Sequence, residues 1–321
     1  MLRVALLDDY QDVALKMADW DRLKGRAEID PIHKHIPDID ELAERLRPYD
    51  VVMMVRERTK FPRALFEKLP NLKLLVTAAM WNVAIDLEAA TDHDVQVCGT
   101  RDWSFATAEL ALGLMISLAR HIPHEDRAMR EGRWQTTLGI GLHGKTLGIV
   151  GLGSLGGQIA RFGRMLGMEI LAWSQNLTAD AATAGGALLV SKDELMARAD
   201  FVTIHLKLSD RTRGLIGRRE LGLMKRTAYL VNTSRGPIVD EAALLEHLQE
   251  RRIAGAALDV YGVEPLPADH PMRRVPNTIL LPHVGYVVEQ NYRFVYGDTL
   301  EDIEAFLDGR IVRPMNTVKR R

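Results

Sequence analysis

Residues 146–156 constrain this chain more than any other segment, because a short apolar strand leads directly into three spaced glycines. The segment reads TLGIVGLGSLG, with Gly151, Gly153 and Gly156 in the GxGxxG spacing. In such a unit the first glycine permits a tight turn, the second leaves room for a pyrophosphate, and the third lets a helix pack closely. The helix predicted over 155–167 offers N–H groups and a positive dipole end to an anion. The segment therefore predicts a dinucleotide site, with a purely structural turn as the alternative.

The composition indicates two domains and limits the partners. The chain has 321 residues, 47% of them hydrophobic, which is enough for two packed cores. Its formal net charge is −1, and no basic run is interleaved with aromatic residues, so no nucleic-acid partner is expected. The single cysteine, Cys98, lies in an apolar segment typical of a buried strand and suits a reducing compartment. Neither a signal peptide nor a membrane-length apolar segment is present, so we expect a cytoplasmic protein without membrane contact.

Alternating strand and helix patterns predict an α/β protein with doubly wound parallel sheets. The first series has five predicted strands and four helices, the helices at 10–23, 38–46, 61–69 and 85–94. A second series of about six strands begins at 145. The long apolar helix predicted over 106–120 is expected to be buried between domains or subunits, because its apolar surface is too wide for one exposed face. An arm or loop is predicted at 121–143, and a last helix at 289–309.

Three charged residues follow predicted strands of the second series. Arg235, Glu264 and His283 each come after a different strand. The carboxyl ends of parallel strands meet at one edge, where ligands bind, so the three side chains can converge there. Arginine binds a carboxylate or polarises a carbonyl, histidine donates a proton to a developing alkoxide, and a nearby carboxylate favours the protonated histidine. Alone, each residue is more often solvated or structural, but their joint placement predicts a site for hydride transfer to a 2-keto acid.

The chain resembles the D-isomer-specific 2-hydroxyacid dehydrogenases over about its last two thirds. The matching segments are GLGSLG, HLKLSDRTRGLIG (205–217), LVNTSRGPIVDEAAL (230–244), AALDVYGVEPLP (256–267) and LPHVGY (281–286). The resemblance implies two doubly wound parallel-sheet domains. The smaller is a flavodoxin-like substrate domain of residues 1–101 plus 289–321, and the other is a Rossmann NAD(P)-binding domain of residues 102–288. It also implies a homodimer joined through the long helix and the following arm.

The resemblance also assigns roles to residues of this chain. Arg235 would bind the substrate carboxylate and carbonyl, His283 would be the acid/base, Glu264 its partner, and Asp259 a ligand of the nicotinamide carboxamide. No metal ligands are implied, and His33, His35, His121 and His124 have no matching ligands in the sequence. The residues expected to contact NAD or NADP are Thr107, Gly151, Gly153, Ser154, Leu155, Gly156, Ser174, Gln175, His205, Lys207, Thr233 and Asp259.

The cofactor preference departs from the usual NAD pattern. A strand-end acid about 20 residues past the glycines ordinarily binds the ribose hydroxyls. Ser174, followed by Gln175, occupies that position here, so nothing repels a 2′-phosphate. No Arg or Lys occurs between Arg164 and Lys192, but Lys207 could supply a positive charge. We expect relaxed use of NAD and NADP with a weak lean to NADP.

The expected substrate loop, 77–86, contains no glycine, although relatives bind the substrate carboxylate on backbone N–H groups of a glycine-containing loop. Trp81 lies in this loop and Trp103 follows near the domain hinge. Either the pocket is remodelled for a particular acid, or these are ordinary packing residues. Arg56 and Arg101 could add a second anion contact, although surface solvation is favoured for both.

The sequence is compatible with three functions. The leading one is reduction of a small 2-keto acid by NAD(P)H. A catalytically weak dinucleotide-sensing protein is the alternative, favoured only by the glycine-free loop. Oxidation of formate or phosphite is disfavoured, because the formate enzymes of this family carry Gln where this chain has Glu264.

Overall fold

The computed structural model describes residues 1–101, 103 and 105–318, whose backbone separates into two units. Unit 1 is Met1–Trp103 with Val287–Arg321, and unit 2 is Ser104–Tyr286. Each contains one sheet of parallel strands with helices between them, which confirms the predicted α/β class. The domain boundary expected at Asp102 lies outside the described residues.

Unit 1 is built on a five-stranded parallel sheet in the order β2-β1-β3-β4-β5. Its strands are β1 (Leu2–Leu6), β2 (Ala27–Pro31), β3 (Val51–Met54), β4 (Leu74–Thr77) and β5 (Gln96–Gly99). Its helices are α1 (Ile39–Leu46), α2 (Arg63–Phe66), α3 (Leu87–Asp92) and a C-terminal helix, Glu289–Leu307. The three central strands are mostly apolar because helices cover both faces of a parallel sheet. Cys98 is buried in β5, as predicted.

Side chains at the helix starts explain why α1 and α3 begin where they do. The carboxylate of Asp38 accepts the N–H groups of Asp40 and Glu41, and that of Asp86 accepts the N–H of Ala89. Such caps satisfy amide groups that have no partner within a helix. The C-terminal segment is tied to β5 in turn, because the side-chain oxygen of Asn316 accepts the N–H of Val97 at 2.8 Å.

The helix predicted over 10–23 is wrong. The structure has two short 3-10 turns there, Ala14–Lys16 and Trp20–Leu23. Asp12 takes a left-handed conformation (φ 53°), which a continuous right-handed helix does not allow. The buried carboxylate of Asp9 accepts the N–H groups of Val13 and Ala14 at 3.0 and 3.1 Å, which stabilises a tight turn instead.

Unit 2 is built on a seven-stranded parallel sheet in the order β12-β11-β10-β9-β6-β7-β8, in agreement with the approximate strand count predicted from the sequence. Its strands are β6 (Thr146–Val150), β7 (Glu169–Trp173), β8 (Leu188–Leu189), β9 (Phe201–Ile204), β10 (Tyr229–Asn232), β11 (Gly255–Leu258) and β12 (Thr278–Leu280). Its helices are α4 (Phe105–Arg120), α5 (Ile122–Arg130), α6 (Ser154–Met165), α7 (Ala179–Ala184), α8 (Lys192–Arg198), α9 (Arg218–Leu223) and α10 (Glu241–Gln249).

Helices α4 and α5 occupy the region predicted as a long helix and an arm. His121, in a left-handed conformation (φ 52°), separates them. Beyond α5 the chain is irregular and exposed from 131 to 138. Among the described residues, no single helix is long and apolar enough to span a membrane, although α4 and α5, bent by 61° at their junction, pass that test as a pair.

Candidate active site

The glycine turn after β6 requires two of its three glycines for its own packing. Gly151 has φ 102°, and a Cβ there would lie 2.6 Å from the carbonyl oxygen of His205. A Cβ on Gly156 would lie 2.0 Å from the carbonyl oxygen of Gly151. A Cβ on Gly153 would meet no described atom within 4 Å. The second glycine is therefore not needed by the chain itself, and the space beside it suits a group that binds there.

The start of α6 has the properties of an anion site. Gly153 is its N-cap and has no side chain to cover the first amide groups. Ser154 and Leu155 form the first turn, where N–H groups lack partners within the helix. This helix end therefore offers backbone donors and a positive dipole end beside the open space at Gly153.

The ends of β7 and β9 flank the glycine turn. The hydroxyl of Ser174 accepts the N–H of Leu152 at 3.2 Å, so it holds the turn itself. Gln175 beside it is exposed. After β9, the Nε2 of His205 lies 2.9 Å from the Thr203 hydroxyl, and burial lowers the pKa of His205 to about 4, so the ring is neutral at pH 7. Lys207 is exposed two residues further on.

Thr233, at the end of β10, carries a buried polar atom that the described part of the chain leaves unsatisfied. The residue is 6% exposed, and its hydroxyl has no hydrogen-bond partner there. A buried hydroxyl without a partner is costly unless another molecule supplies one. Together with the open space at Gly153, this hydroxyl fits a bound dinucleotide.

Asp259 and Thr107 hold the loop that follows β12. The fully buried carboxylate of Asp259 accepts the N–H groups of Val284 and Gly285, both at 2.8 Å. Burial raises the pKa of Asp259, although these two hydrogen bonds oppose the effect. The hydroxyl of Thr107 donates to the carbonyl of Gly285 at 3.1 Å. Both residues were expected only as cofactor contacts, and the sequence offered no sign that they also fix the backbone around His283.

His283 and Glu264 are in direct contact. The imidazole Nδ1 lies 2.5 Å from Oε2 of Glu264, and Oε1 of that carboxylate accepts the N–H of Tyr261 at 2.8 Å. Tyr261 is anchored by its own hydroxyl, which donates to the carbonyl of Leu281 at 2.9 Å. The side chains of His283 and Glu264 are 20% and 32% exposed, so the ring remains accessible.

Arg235 lies on the loop after β10, which packs against the loop that carries Glu264. A Cβ on Gly236 would lie 2.1 Å from the carbonyl oxygen of Tyr261, so only glycine permits this approach. The backbone carbonyl of Arg235 accepts the side-chain amide of Asn232 at 3.1 Å. The two loops therefore meet at the carboxyl edge of the sheet in unit 2, the edge where ligands bind in folds of this kind.

The expected substrate loop lies in unit 1, after β4. Ala79 takes φ 71°, a conformation that favours glycine, and donates its N–H to the Thr100 hydroxyl at 3.1 Å. Trp81 is 44% exposed in the same loop. Arg101 is not simply solvated, because it pairs with the buried carboxylate of Asp298 at 2.6 Å.

One acidic cluster outside this loop was not foreseen. Asp9, Asp12 and His33 place potential metal-ligand atoms close together in unit 1. The Asp9 carboxylate is already the acceptor for the turn at Val13 and Ala14, so we assign no metal to the cluster.

Comparison with known proteins identifies the family. Residues 112–285 match the model described as D-isomer specific 2-hydroxyacid dehydrogenase, NAD binding domain. Glyoxylate reductase of Aeropyrum pernix is 34% identical to this chain, over 98% of the chain and 92% of that protein. The crystal structure of a phosphoglycerate oxidoreductase from Vibrio cholerae superposes with a TM-score of 0.92 at 34% identity, covering 96% of this chain and 100% of that one. The chain belongs to the D-isomer specific 2-hydroxyacid dehydrogenase family.

The similarity to some relatives covers only part of their length. D-3-phosphoglycerate dehydrogenase of Methanocaldococcus jannaschii is 38% identical over 85% of this chain but only 52% of that protein. The chain spans about half the length of the phosphoglycerate dehydrogenases that it matches in this way.

Proposed function

We propose that this chain reduces 2-keto acids to D-2-hydroxy acids with a reduced nicotinamide dinucleotide. Family membership supports the reaction class, and the contact between His283 and Glu264 is the observation that carries the proposal, because a protein that only senses a dinucleotide needs no oriented proton donor. In this proposal residues 102–288 bind the dinucleotide, and residues 1–101 with 289–321 bind the acid.

The site residues divide the chemistry among them. The bound dinucleotide supplies the hydride. His283 in its protonated form donates Nδ1–H to Glu264 and delivers the Nε2 proton to the substrate oxygen, so the keto acid gains one hydride and one proton. Arg235 holds the substrate carboxylate, which keeps the reacting carbon in a reactive position. Asp259 and Thr107 fix the loop that carries His283.

The preference between NAD and NADP depends on the residues at the end of β7 and after β9. We infer relaxed use of NAD and NADP, with a lean to NADP, because the hydroxyl of Ser174 replaces the usual carboxylate and itself accepts the N–H of Leu152. Lys207 is exposed and positively charged beside the glycine turn. The ratio of kcat/KM for NADPH and NADH tests this choice, and a strong preference for NADH would contradict it.

A homodimer in the cytoplasm, without nucleic-acid or membrane partners, completes the proposal. Exposed apolar side chains concentrate after α4, with Met129 59%, Trp134 73% and Leu138 93% exposed. A cavity of about 580 Å³ lies between the α4–α5 junction and the edge strand β12. Large exposed apolar side chains of this kind support association. Light scattering on wild type and Trp134→Glu tests it, and two equally monomeric proteins would refute the dimer.

The decisive experiment follows the loss of reduced-nicotinamide absorbance with NADH or NADPH and a panel of 2-keto acids. His283→Ala is expected to lower kcat by roughly 10²–10⁴-fold, the usual contribution of general acid catalysis, while the cofactor Kd stays near wild type. Comparable turnover in this variant would refute the acid/base assignment. Tight dinucleotide binding with no turnover of any acid would favour the sensing alternative.

A further inference from the structure

We propose that the preferred substrate is a monoanionic 2-keto acid with a bulky apolar side chain, not a phosphorylated or other dianionic acid. This inference rests on the proposed reductase function and names its substrate class. It comes from the side chains at the carboxyl edge of the sheet in unit 1, where the loops after neighbouring parallel strands meet and ligands bind. The loops concerned follow β1, β3 and β4, which are adjacent in the sheet.

The loop after β4 presents apolar side chains at this edge. Met80 is 49% exposed and Trp81 is 44% exposed. The thioether of Met80 lies directly over Gly99, since a Cβ at Gly99 would come within 2.8 Å of its Sδ. Large exposed apolar side chains at a ligand-binding edge indicate contact with an apolar part of the ligand.

This apolar surface is held rigidly. The Asn82 side chain donates to the backbone carbonyl of Arg56 and to the Thr77 hydroxyl, both at 2.8 Å. Ala79 starts the loop in its left-handed conformation and is fixed by its bond to Thr100. The loop after β4 is thereby fastened to the loop after β3, which gives Met80 and Trp81 a fixed scaffold, as a specificity pocket requires.

Arg58, on the loop after β3, already binds other groups of the protein. Arg58 donates to the backbone carbonyl of Asp8 at 2.6 Å and to the Tyr292 hydroxyl at 3.1 Å, and its guanidinium lies 4.6 Å from the ring centre of Tyr10. It therefore acts as a support for the half-exposed Tyr10 ring, which adds another aromatic surface at the same edge.

Carboxylates at this edge oppose a second negative charge on the substrate. Nε of Arg56 lies 3.6 Å from Oε2 of Glu57, whose side chain is only 16% exposed, so the charge of this arginine is offset. The carboxylate of Asp8 is buried nearby and accepts the Thr59 hydroxyl at 2.7 Å. A phosphate group placed here would meet arginines that already bind protein groups, together with carboxylates that repel it, which disfavours its binding.

The test compares kcat/KM for phenylpyruvate and 4-methyl-2-oxopentanoate with that for glyoxylate and 3-phosphooxypyruvate, using the full chain. We expect the apolar acids to exceed the phosphorylated acid by about tenfold or more, the range that pocket contacts supply. In Trp81→Ala, the ratio of phenylpyruvate to glyoxylate efficiency should fall by about tenfold or more. Met165→Ala, which removes an exposed apolar side chain in unit 2, is the matched control and should keep the ratio.

Glu57→Gln gives a second, independent measurement. Removal of this carboxylate should raise the efficiency with 3-phosphooxypyruvate relative to phenylpyruvate. A wild-type preference for the phosphorylated acid, or an unchanged ratio in both Trp81→Ala and Glu57→Gln, would overturn the inference while leaving the reductase function intact. Absence of turnover with all four acids would overturn the reductase function itself.

Discussion

The Glu264 carboxylate is held at both oxygens, one by the Nδ1 of His283 and the other by the backbone N–H of Tyr261. A carboxylate fixed in this way orients the imidazole and leaves its Nε2 for a second partner. Because Tyr261 is bonded to the carbonyl of Leu281, the strand end that carries His283 and the loop that carries Glu264 are joined twice. The acid/base pair is therefore a rigid unit of the fold.

Glu264→Gln tests the charge of this pair. The amide can still accept a hydrogen bond from the imidazole, but it no longer stabilises a protonated ring. We expect kcat to fall by about 10–100-fold with little change in cofactor Kd. Glu246→Gln, at a partly exposed carboxylate of the same unit that pairs with Arg218, is the control. A kcat within twofold of wild type would show that the charge of Glu264 has no catalytic role.

Three glycine substitutions separate the packing and binding roles of the turn after β6. Gly156→Ala should destabilise unit 2 by about 1–3 kcal/mol or more, because its Cβ would meet the carbonyl oxygen of Gly151. Gly153→Ala should leave the melting temperature unchanged but weaken dinucleotide binding by about tenfold, since the methyl group fills the space beside α6.

Gly157→Ala is the matched control for both variants. Its Cβ would meet no described atom within 4 Å, so it should bind normally and gain up to about 1 kcal/mol of stability from helix propensity. Thermal unfolding and dinucleotide titration measure the three variants side by side. Normal binding by Gly153→Ala would contradict the assignment of the turn to a pyrophosphate.

Ala79→Gly should stabilise the protein. A non-glycine residue at φ 71° carries about 1–2 kcal/mol of backbone strain, which exceeds the entropy cost of introducing glycine. We expect a net gain of about 0.5–1 kcal/mol in denaturant unfolding. Ala78→Gly, at a neighbouring buried alanine without positive φ, should lose stability instead. Equal losses in the two variants would show that the loop is not strained.

Asp302 makes the stability of unit 1 depend on pH. Burial raises the pKa of Asp302 to about 8, although Arg313 lies 3.1 Å away. The unfolded chain titrates near 3.8, so between these values unfolding releases a proton, and the folded state loses stability as pH rises. The loss is at most about 1.4 kcal/mol per pH unit.

Asp302→Asn removes this titration. Urea unfolding between pH 5 and 8 should show a flatter dependence in the variant than in wild type. Asp210→Asn, at an exposed aspartate, should retain the wild-type slope. Identical slopes in Asp302→Asn and wild type would show that the group is not protonated in the folded state.

Local sequence signals predicted much of the fold, because strands and capped helices follow from apolar runs and nearby residues. The segment 146–156 was recognisable since its glycines act within a few residues of one another. The predicted helix at 10–23 failed because the left-handed turn at Asp12 depends on a hydrogen-bonding pattern that periodicity does not report. The support that Asp259 gives to Val284 and Gly285 was also missed, because it joins residues 25 and 26 positions apart.

Unit 1 draws its residues from both ends of the chain, whereas unit 2 is one continuous segment. During synthesis, unit 2 is therefore complete while the C-terminal helix of unit 1 is still being translated, since domains fold as units in the order in which they emerge. Until that helix arrives, the surface that will contact the buried rings of Tyr292 and Tyr296 stays open to water. A nascent chain that has not yet reached residue 289 therefore contains a complete unit 2 and an incomplete unit 1.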